Sequence, residues 1–312
     1  MTTRVAVIGG GQSCEHAVSL ASAAGVAAAL DPTTYEVVPL TIGRDGTWRD
    51  RGRRPMGLSG VAQILRGCDV AFPLVHGPRG EDGTLAALCE VAGLRYVGSG
   101  IGAAALAMDK WATKLVAREI GIATAPARLV TSVTASVESW TGPVVVKPVA
   151  AGSSHGVTLV READALGPAL DAALALGPRA LVEDVVVGRE IDVAVLRRAD
   201  GSLLVAPALE IVTDGLFDYD TKYGGRADFR VPAPLDSADA KALEDAARAM
   251  FDALDCSGVA RVDFFLTADG PVLIEVNTTP GMTDSSQVPR MFAAAGLAYA
   301  DLLDDLVRGA HR

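Results

Sequence analysis

The sequence predicts a mixed α/β and α+β protein that begins with an open parallel α/β unit. Near the N-terminus, short apolar runs of the strand type alternate with alanine-rich helical stretches, as in parallel α/β folds. Further along, paired apolar strands flank glycine-containing loops, which is typical of antiparallel hairpins. The chain has 312 residues, half of them hydrophobic, and this length indicates two or three domains sharing a cleft.

The first elements form a strand, a tight turn and a helix. Residues 5–8 are a buried-strand pattern that ends in three glycines, at residues 9–11, and residues 15–30 are an alanine-rich helix closed by Asp31-Pro32. The alternation continues with strands at residues 35–42 and 69–74 and a helix at residues 83–91. Alternation of this kind predicts a parallel sheet.

A second segment begins with a helix near residue 108 that stops at Gly121. The further predicted elements are strands at 144–147, 157–160, 180–183, 190–196, 259–266 and 272–276, helices at 163–176, 237–254 and 299–308, and a polar loop at 213–228. There is no internal repeat or low-complexity tract.

Charge and composition exclude several classes of protein. The 28 basic and 38 acidic residues give a net charge of −10, which argues against nucleic acid or a membrane surface as a partner. A few lysines focused in a cleft with magnesium would still bind a nucleotide. The four cysteines show neither zinc-site nor disulfide spacing. With no signal-peptide pattern and no apolar run of roughly 18 residues, we expect a cytoplasmic protein.

The sharpest local signal is a pair of acid-bearing strands near the C-terminus. Arg261 and Asp263 lie on one strand, and Glu275 and Asn277 lie on the next. Asp263 shares their face if it pairs opposite Glu275 or Asn277, so we predict an odd number of loop residues in this hairpin. Such oxygen ligands suit magnesium at nucleotide phosphates. The alternative is a solvated face on which Arg261 pairs with an acid.

A second signal is a lysine beside a loop of small residues. Lys147 ends an apolar strand, and the glycine- and serine-rich loop at residues 152–156 follows it closely. Backbone N–H groups and a lysine can hold phosphates, although an exposed turn is the alternative reading of this motif alone. Lys110 upstream and the acids Glu183 and Glu190 downstream favour a nucleotide site. The Walker sequence is absent.

Taken in order, seven blocks resemble the D-alanine:D-alanine ligase family over nearly the whole chain. The blocks are residues 9–19 (GGGQSCEHAVS), 76–83 (HGPRGEDG), 108–110 (MDK), 146–148 with 152–154 (VKP, GSS), 222–223 (KY), 261–263 (RVD) and 275–283 (EVNTTPGMT). The resemblance implies a three-domain ATP-grasp fold, with domains at residues 1–108, 109–188 and 189–312. It also implies a homodimer that serves peptidoglycan synthesis.

The same resemblance implies the ATP site, between the middle and last domains. Residues implied to contact ATP are Lys110 and Lys147 at the phosphates, Glu183 and the backbone near Val186 at adenine, Glu190 at ribose, and Phe265. Residues implied to bind two Mg²⁺ ions, with Mn²⁺ as a substitute, are Asp263, Glu275 and Asn277.

The resemblance also implies residues that handle the D-amino acids. Glu15 would anchor the first substrate's ammonium group, in a network with Ser153 and Tyr223. Arg261 and the Gly281 N–H would stabilise the tetrahedral intermediate. The remaining residues implied to bind substrate are His76, Lys222, Ser286, at the second substrate's carboxylate, and Gln287.

Three positions depart from the family's usual pattern: Ala151, Asp184 and Gln287. The first two replace an acid and a lysine and would lower ATP affinity, whereas an amide at residue 287 would shift the acceptor toward a polar substrate. Tyr223 favours an amine acceptor. Three alternatives stay open: a ligase with another acceptor, a non-catalytic relative, and an NAD-dependent oxidoreductase suggested by the glycines at residues 9–11.

Overall fold

The N-terminal part of the chain forms a six-stranded sheet with the order β4-β3-β2-β1-β5-β6. The structure, a computed structural model, describes residues 2–212 and 228–310. The strands are β1 (Thr3–Gly10), β2 (Tyr35–Ile42), β3 (Trp48–Arg49), β4 (Pro55–Met56), β5 (Val70–Pro73) and β6 (Arg95–Tyr96), and the helices are α1 (His16–Ala29), α2 (Leu58–Arg66) and α3 (Thr84–Ala92). The four neighbouring strands β2, β1, β5 and β6 are parallel, which confirms the predicted class. Strands β3 and β4 add an antiparallel edge.

The end of β1 shows why glycines follow this strand. Gly10 and Gly11 have φ angles of 96° and 106°, a region that residues with a Cβ avoid. A Cβ on Gly10 would also overlap the carbonyl oxygen of Ile42 on β2. The glycines therefore let the chain turn sharply into α1, which carries Glu15 at its N-terminal end.

A pair of helices and a small antiparallel sheet follow. Helices α4 (Ile101–Met108) and α5 (Lys110–Glu119) lead to a four-stranded sheet with the order β7-β10-β8-β9. Its strands are β7 (Ala127–Thr131), β8 (Val144–Pro148), β9 (Thr158–Val160) and β10 (Arg179–Asp184), and helix α6 (Leu166–Leu174) packs on one face. The predicted glycine- and serine-rich loop connects β8 to β9.

The C-terminal sheet has the order β14-β13-β11-β15-β16, with β12 paired to β11. Its strands are β11 (Arg189–Arg197), β12 (Leu203–Val205), β13 (Leu209–Val212), β14 (Asp228–Arg230), β15 (Val259–Thr267) and β16 (Gly270–Asn277), and the helices are α7 (Ser237–Ala253), α8 (Gln287–Ala294) and α9 (Tyr299–Arg308). Helices α4, α5 and α7 share one core with this sheet. Helices α1, α8 and α9 share another with it, and that core continues into β1 and β5.

The prediction of an odd hairpin loop is wrong. Thr267 pairs with Gly270, so only two residues connect β15 to β16. Asp263 nevertheless lies opposite Glu275, because Ile274 is an extra residue that forms a β-bulge between the two pairs on either side of it. The predicted shared face is thus reached through a bulge in the strand and not through the length of the turn.

No helix in the described ranges is long and apolar enough to cross a membrane.

Candidate active site

A cavity of about 480 Å³ lies between the central sheet and the C-terminal sheet. This volume lies within the range of small-molecule sites. All six residues predicted to contact ATP line it: Lys110, Lys147, Glu183, Val186, Glu190 and Phe265. Apolar side chains from both sheets, including Val145 and Ile274, add walls that suit a flat purine ring.

Two lysines share the buried carboxylate of Glu183, which lines this cavity. The Nζ atoms of Lys147 and Lys114 lie 2.7 Å and 2.9 Å from the two carboxylate oxygens of Glu183, and Lys114 also donates to the Ala125 carbonyl at 3.0 Å. Burial opposes the charged form of Glu183, but the two lysines outweigh it and lower its pKa. Burial also lowers the pKa of Lys114, against the attraction of Glu183. Lys147 thus faces the cavity already paired with an acid.

Sequence reasoning gave Lys114 no role. It lies four positions after Lys110 on α5, so both side chains lie on the same face of the helix. That spacing was available as a signal in the sequence.

Lys110 connects the glycine- and serine-rich loop to the acids of β16. Its Nζ lies 2.8 Å from Glu275 Oε2 and donates to the Ala151 carbonyl at 2.9 Å. Burial disfavours its charge, but Glu275 and more distant acids raise its pKa overall. The lysine begins α5, directly after Asp109, which caps the helix.

The predicted metal-binding residues share one buried face of the C-terminal sheet. Asp263 lies opposite Glu275, and Arg261 lies opposite Asn277. Arg261 binds Asp263 through two hydrogen bonds of 2.7 Å, and Asn277 Nδ2 donates to the same carboxylate at 3.0 Å. The face is buried, as Arg261 and Asp263 are 7% and 4% exposed, so the alternative of a solvated face is wrong although its ion pair is present.

A second cavity of about 370 Å³ adjoins the first on the side of the N-terminal sheet. Its lining includes the predicted amino-acid-binding residues Glu15, His76, Ser153, Arg261, Gly281, Ser286 and Gln287, as well as Asn277. Arg261 lines both cavities and therefore lies where the two adjoin.

Ser153 and Glu15 close one side of this second cavity. The Ser153 hydroxyl donates to the Glu15 carboxylate across the gap between the β8–β9 loop and the start of α1. Ser153 and Ser154 have φ angles of 53° and 55°, which serine rarely adopts. A Cβ at Gly152 would overlap the Glu15 carboxylate, so a glycine is needed where the loop meets this acid.

His76 connects the N-terminal sheet to the loop after β16. Its Nδ1 lies 2.8 Å from the Thr279 carbonyl, and its Nε2 lies 3.3 Å from the Ser22 hydroxyl. Because a carbonyl oxygen only accepts, Nδ1 carries a proton, and in the neutral ring Nε2 accepts from Ser22. The Ser22 oxygen in turn accepts from the Met282 N–H at 3.1 Å. His76 therefore fixes the backbone next to Gly281 as well as lining the cavity.

The N-terminus of α8 borders the same cavity. Ser286 is its N-cap residue, and its Oγ accepts from the Thr283 N–H at 3.0 Å. A Cβ on Gly281 would lie 3.2 Å from Ser286 Oγ, which brings the Gly281 backbone close to this hydroxyl. Unpaired N–H groups at a helix start, beside a hydroxyl, are suited to a carboxylate.

Two residues in this region were missed from the sequence as functional candidates. Asp192, fully buried on β11, lies opposite Asp263 and accepts a hydrogen bond from Gln287. Glu81 lines the second cavity, and burial, followed by the nearby Glu15 carboxylate, raises its pKa to about 8. An acid inside the apolar stretch at residues 191–196 was the visible signal for Asp192. Lys222 and Tyr223 lie outside the described residues.

This fold and site define an ATP-grasp ligase, in which a nucleotide held between two antiparallel sheets activates a carboxylate in an adjoining cavity. Comparison with known proteins identifies the family. The profile described as D-ala D-ala ligase C-terminus matches residues 118–308, and the profile described as D-ala D-ala ligase N-terminus matches residues 4–58 and 52–99. The chain therefore belongs to the D-alanine–D-alanine ligase family, as its sequence blocks predicted.

Individual relatives match over almost the full length of the chain. The D-alanine–D-alanine ligase A of Mesorhizobium japonicum is 43% identical over 99% of this chain and 97% of its own. The VanG D-Ala:D-Ser ligase from Enterococcus faecalis superposes with a TM-score of 0.88 at 32% identity, covering 99% of both chains. A Bacillus anthracis D-alanine–D-alanine ligase, solved in complex with ATP, has a TM-score of 0.80 at 28% identity, covering 98% of this chain and 96% of that one.

Proposed function

We propose that this chain joins two D-alanine molecules into D-alanyl-D-alanine, converting ATP to ADP and phosphate. The observation that carries the proposal is the pair of adjoining cavities with Arg261 at their junction. One cavity has the size and lining for a nucleotide, and the other has an acid, a hydroxyl and a helix N-terminus suited to amino acids. Family membership supports the same reaction.

The first step activates a carboxylate. A carboxylate is a poor acyl donor, so an oxygen of the first D-alanine attacks the γ-phosphorus, ADP leaves, and an acyl phosphate forms. Lys110 and Lys147 lie where they can offset the charge on the phosphate oxygens. Glu183 and the backbone near Val186 are proposed to hold adenine, Glu190 the ribose, and Phe265 the ring face.

Three residues of the C-terminal sheet carry oxygen atoms of the kind that bind magnesium. Asp263, Glu275 and Asn277 lie together on one face, and magnesium in such sites is held by one or two carboxylates together with substrate phosphates. No group of three histidine, cysteine, aspartate or glutamate side chains in residues 2–212 and 228–310 is arranged to hold a metal ion. When bound, magnesium would neutralise charge on the transferring phosphoryl group.

The second step forms the peptide bond. The amine of the second D-alanine attacks the acyl carbon, loses a proton, and displaces phosphate. Arg261 and the Gly281 N–H are proposed to stabilise the oxyanion of the tetrahedral intermediate. Glu15, in contact with Ser153, is proposed to bind the first ammonium group, and Ser286 at the start of α8 the second carboxylate.

The remaining assignments belong to the same proposal. Lys222 and Tyr223 are proposed to contact substrate and to join the Glu15–Ser153 network. Three domains, at residues 1–108, 109–188 and 189–312, are supported by the three separate sheets, although Ala117 of α5 packs in the core of the C-terminal sheet. We further propose a cytoplasmic homodimer that supplies peptidoglycan synthesis and has neither nucleic acid nor membrane as a partner.

The test is product analysis with purified protein. ATP, Mg²⁺ and D-alanine should yield ADP, phosphate and a product with the mass of D-alanyl-D-alanine. Parallel reactions with D-serine and D-lactate as acceptors examine whether Gln287 shifts the acceptor. Phosphate release without any condensed product, or no release with any amino acid, would refute the proposed reaction. The comparisons give no support to the NAD-dependent alternative.

A further inference from the structure

Gln287 bridges the catalytic arginine to a buried acid. It is the first residue of α8, and its side chain lines the amino-acid cavity. Its Oε1 accepts from Arg261 Nη1 at 2.7 Å, and its Nε2 donates to Asp192 Oδ2 at 2.8 Å. A carboxamide is neutral, and its oxygen can accept from a cation while its NH2 group donates to an anion.

Asp192 requires such partners because of its position. It lies on β11 directly opposite Asp263 of β15, and it is 0% exposed. Two carboxylates opposite each other in a sheet repel, and a buried charge is costly without hydrogen-bonded partners. Arg261 Nε lies 3.3 Å from Asp192 Oδ2, so the arginine stands between both acids. A neutral amide at residue 287 adds a hydrogen bond to Asp192 without adding a third negative charge.

The bridge also determines how Arg261 is oriented. A guanidinium has five N–H donors in a fixed plane. Asp263 accepts from Nε and Nη2, and Gln287 accepts from Nη1. Gln287 thus binds the guanidinium nitrogen that Asp263 does not bind, so all three nitrogens of the group are held by side chains. Each Nη atom keeps one further N–H with which to meet a developing oxyanion.

We infer that Gln287 and Asp192 are positioning residues, which hold Arg261 in the orientation needed for the acyl-transfer step. The inference rests on the proposed function and assigns the amide at residue 287 a role in that reaction. It predicts that the amine-attack step depends on the bridge more strongly than the phosphorylation step, since Arg261 is proposed to meet the oxyanion only in the second.

The experiment compares the two steps in four variants: Gln287→Leu, Gln287→Glu, Asp192→Asn, and the double variant Gln287→Glu with Asp192→Asn. Dipeptide formation reports the complete reaction. Positional isotope exchange in ATP with D-alanine alone, at concentrations below those that fill the acceptor site, reports acyl phosphate formation. The wild-type protein and Gln63→Leu, a substitution of an exposed glutamine on α2, are the controls.

The expected result is a step-specific loss. Gln287→Leu should lower kcat for dipeptide formation on the order of 10–100-fold, with isotope exchange and KM for ATP within about threefold of wild type. Gln287→Glu should lower kcat for dipeptide formation further, because it places a second carboxylate against that of Asp192. The double variant exchanges the amide and the acid, restores the hydrogen bond between the two positions, and should recover at least about tenfold over Gln287→Glu.

The outcomes separate this inference from the proposed function. If the wild type makes no D-alanyl-D-alanine, the proposed reaction itself is refuted. If the wild type makes it and Gln287→Leu retains the full rate, or if exchange and ligation fall equally, the positioning role is refuted. The double variant keeps one amide and one carboxylate at these two positions. If it is folded, as judged by circular dichroism, and its kcat for dipeptide formation does not exceed that of Gln287→Glu, the inference is also overturned.

Discussion

At the scale of single residues, this site holds its binding charges in ion pairs with its own acids. Glu183 is paired with Lys114 and Lys147, and Glu275 is paired with Lys110. Only Lys147 and Lys110 of these three lysines line the nucleotide cavity. Lys114 instead lies behind Glu183, where it keeps the acid charged and in place.

Lys114→Met should therefore destabilise the fold. The variant leaves Glu183 buried with one lysine in place of two, and the free energy of unfolding at pH 7 should fall by about 2–3 kcal/mol in urea titrations. Lys241→Met, which removes an exposed lysine paired with Asp245, is the control and should change it by less than about 0.5 kcal/mol.

The pH dependence of that difference follows from the lowered pKa of Glu183. A lowered pKa gives stability that is present above the ordinary value of 4.5 and is lost as pH falls through the folded value. The deficit of Lys114→Met should thus shrink in acid. An equal deficit at pH 7 and in strong acid would show that lost packing, and not the ion pair, causes it.

The pKa of Glu81 is raised, so its effect on stability changes with pH in the direction opposite to that of Glu183. Its side chain is 12% exposed, and its pKa of about 8 lies above the ordinary value of 4.5. The folded state therefore keeps a proton that the unfolded chain releases, so wild-type stability should decline as pH rises from about 4.5 to about 8. Glu81→Gln cannot release this proton, and its stability relative to wild type should rise by on the order of 2–4 kcal/mol across that window.

Denaturant unfolding at several pH values measures this difference. Glu244→Gln removes an exposed acid on α7 that pairs with Arg248, and it should follow the wild-type profile. A Glu81→Gln profile parallel to wild type between pH 5 and pH 8 would contradict the raised pKa.

At the scale of elements, the start of α5 positions Lys110, the first of the two lysines proposed to bind phosphate. The Asp109 carboxylate accepts from the N–H groups of Trp111 and Ala112, both at 3.0 Å, and Lys110 is the next residue after the cap. Asp109→Ala should cost about 1 kcal/mol of stability. It should also raise KM for ATP on the order of tenfold, because Lys110 lies in the turn that frays.

Helix α7 offers a control with the same cap geometry, although Asp109 also forms an ion pair with Arg179, whereas Asp236 has none with any described residue. Asp236 caps it with the same pair of bonds, to Ala238 and Asp239, in an exposed position away from both cavities. Asp236→Ala should lose similar stability while leaving KM for ATP unchanged. If both variants changed KM alike, general destabilisation and not the placement of Lys110 would be responsible.

The elements also show which features the sequence could predict. Apolar periodicity and glycines predicted β1, α1, β2 and the acid-bearing strands, because these signals are local. The bulge at Ile274 was not predictable, since the extra residue is defined only by its pairing with β15. Several other elements were missed as well, and most of them are short, so that few residues give little periodicity: β3, β4, β6, β7, β12, β13, β14, α2, α4 and α8.

The candidate site shows the same limit. Lysines, acids and their order along the chain were visible, and every described residue predicted to contact ATP lines one cavity. The partners of those residues were not visible. Asp192 faces Asp263 only through the register of β11 against β15, and Gln287 reaches both strands from a helix about a hundred residues away from Asp192 in sequence.

At the scale of the whole molecule, the nucleotide cavity joins two parts of the chain with separate cores. The central sheet has its own core around α6, whereas the C-terminal sheet shares its cores with α1, α5 and β1. Lys147 and Glu183 enter from the first part, and Asp263 and Glu275 from the second. A ligand that binds both parts should therefore stabilise the folded molecule against unfolding as a unit.

A non-hydrolysable ATP analogue with Mg²⁺ should raise the unfolding temperature accordingly. A ligand present at about 100 times its Kd adds about 2.7 kcal/mol to the folded state. EDTA should remove most of the gain, and Glu275→Gln should lose the magnesium-dependent part, because it neutralises a carboxylate proposed to bind magnesium opposite Asp263. Lys241→Met should keep the full gain. If the analogue stabilises wild type and Glu275→Gln equally with and without Mg²⁺, a metal site at these carboxylates is contradicted. If the analogue gives no stabilisation at all, nucleotide binding in this cavity is contradicted.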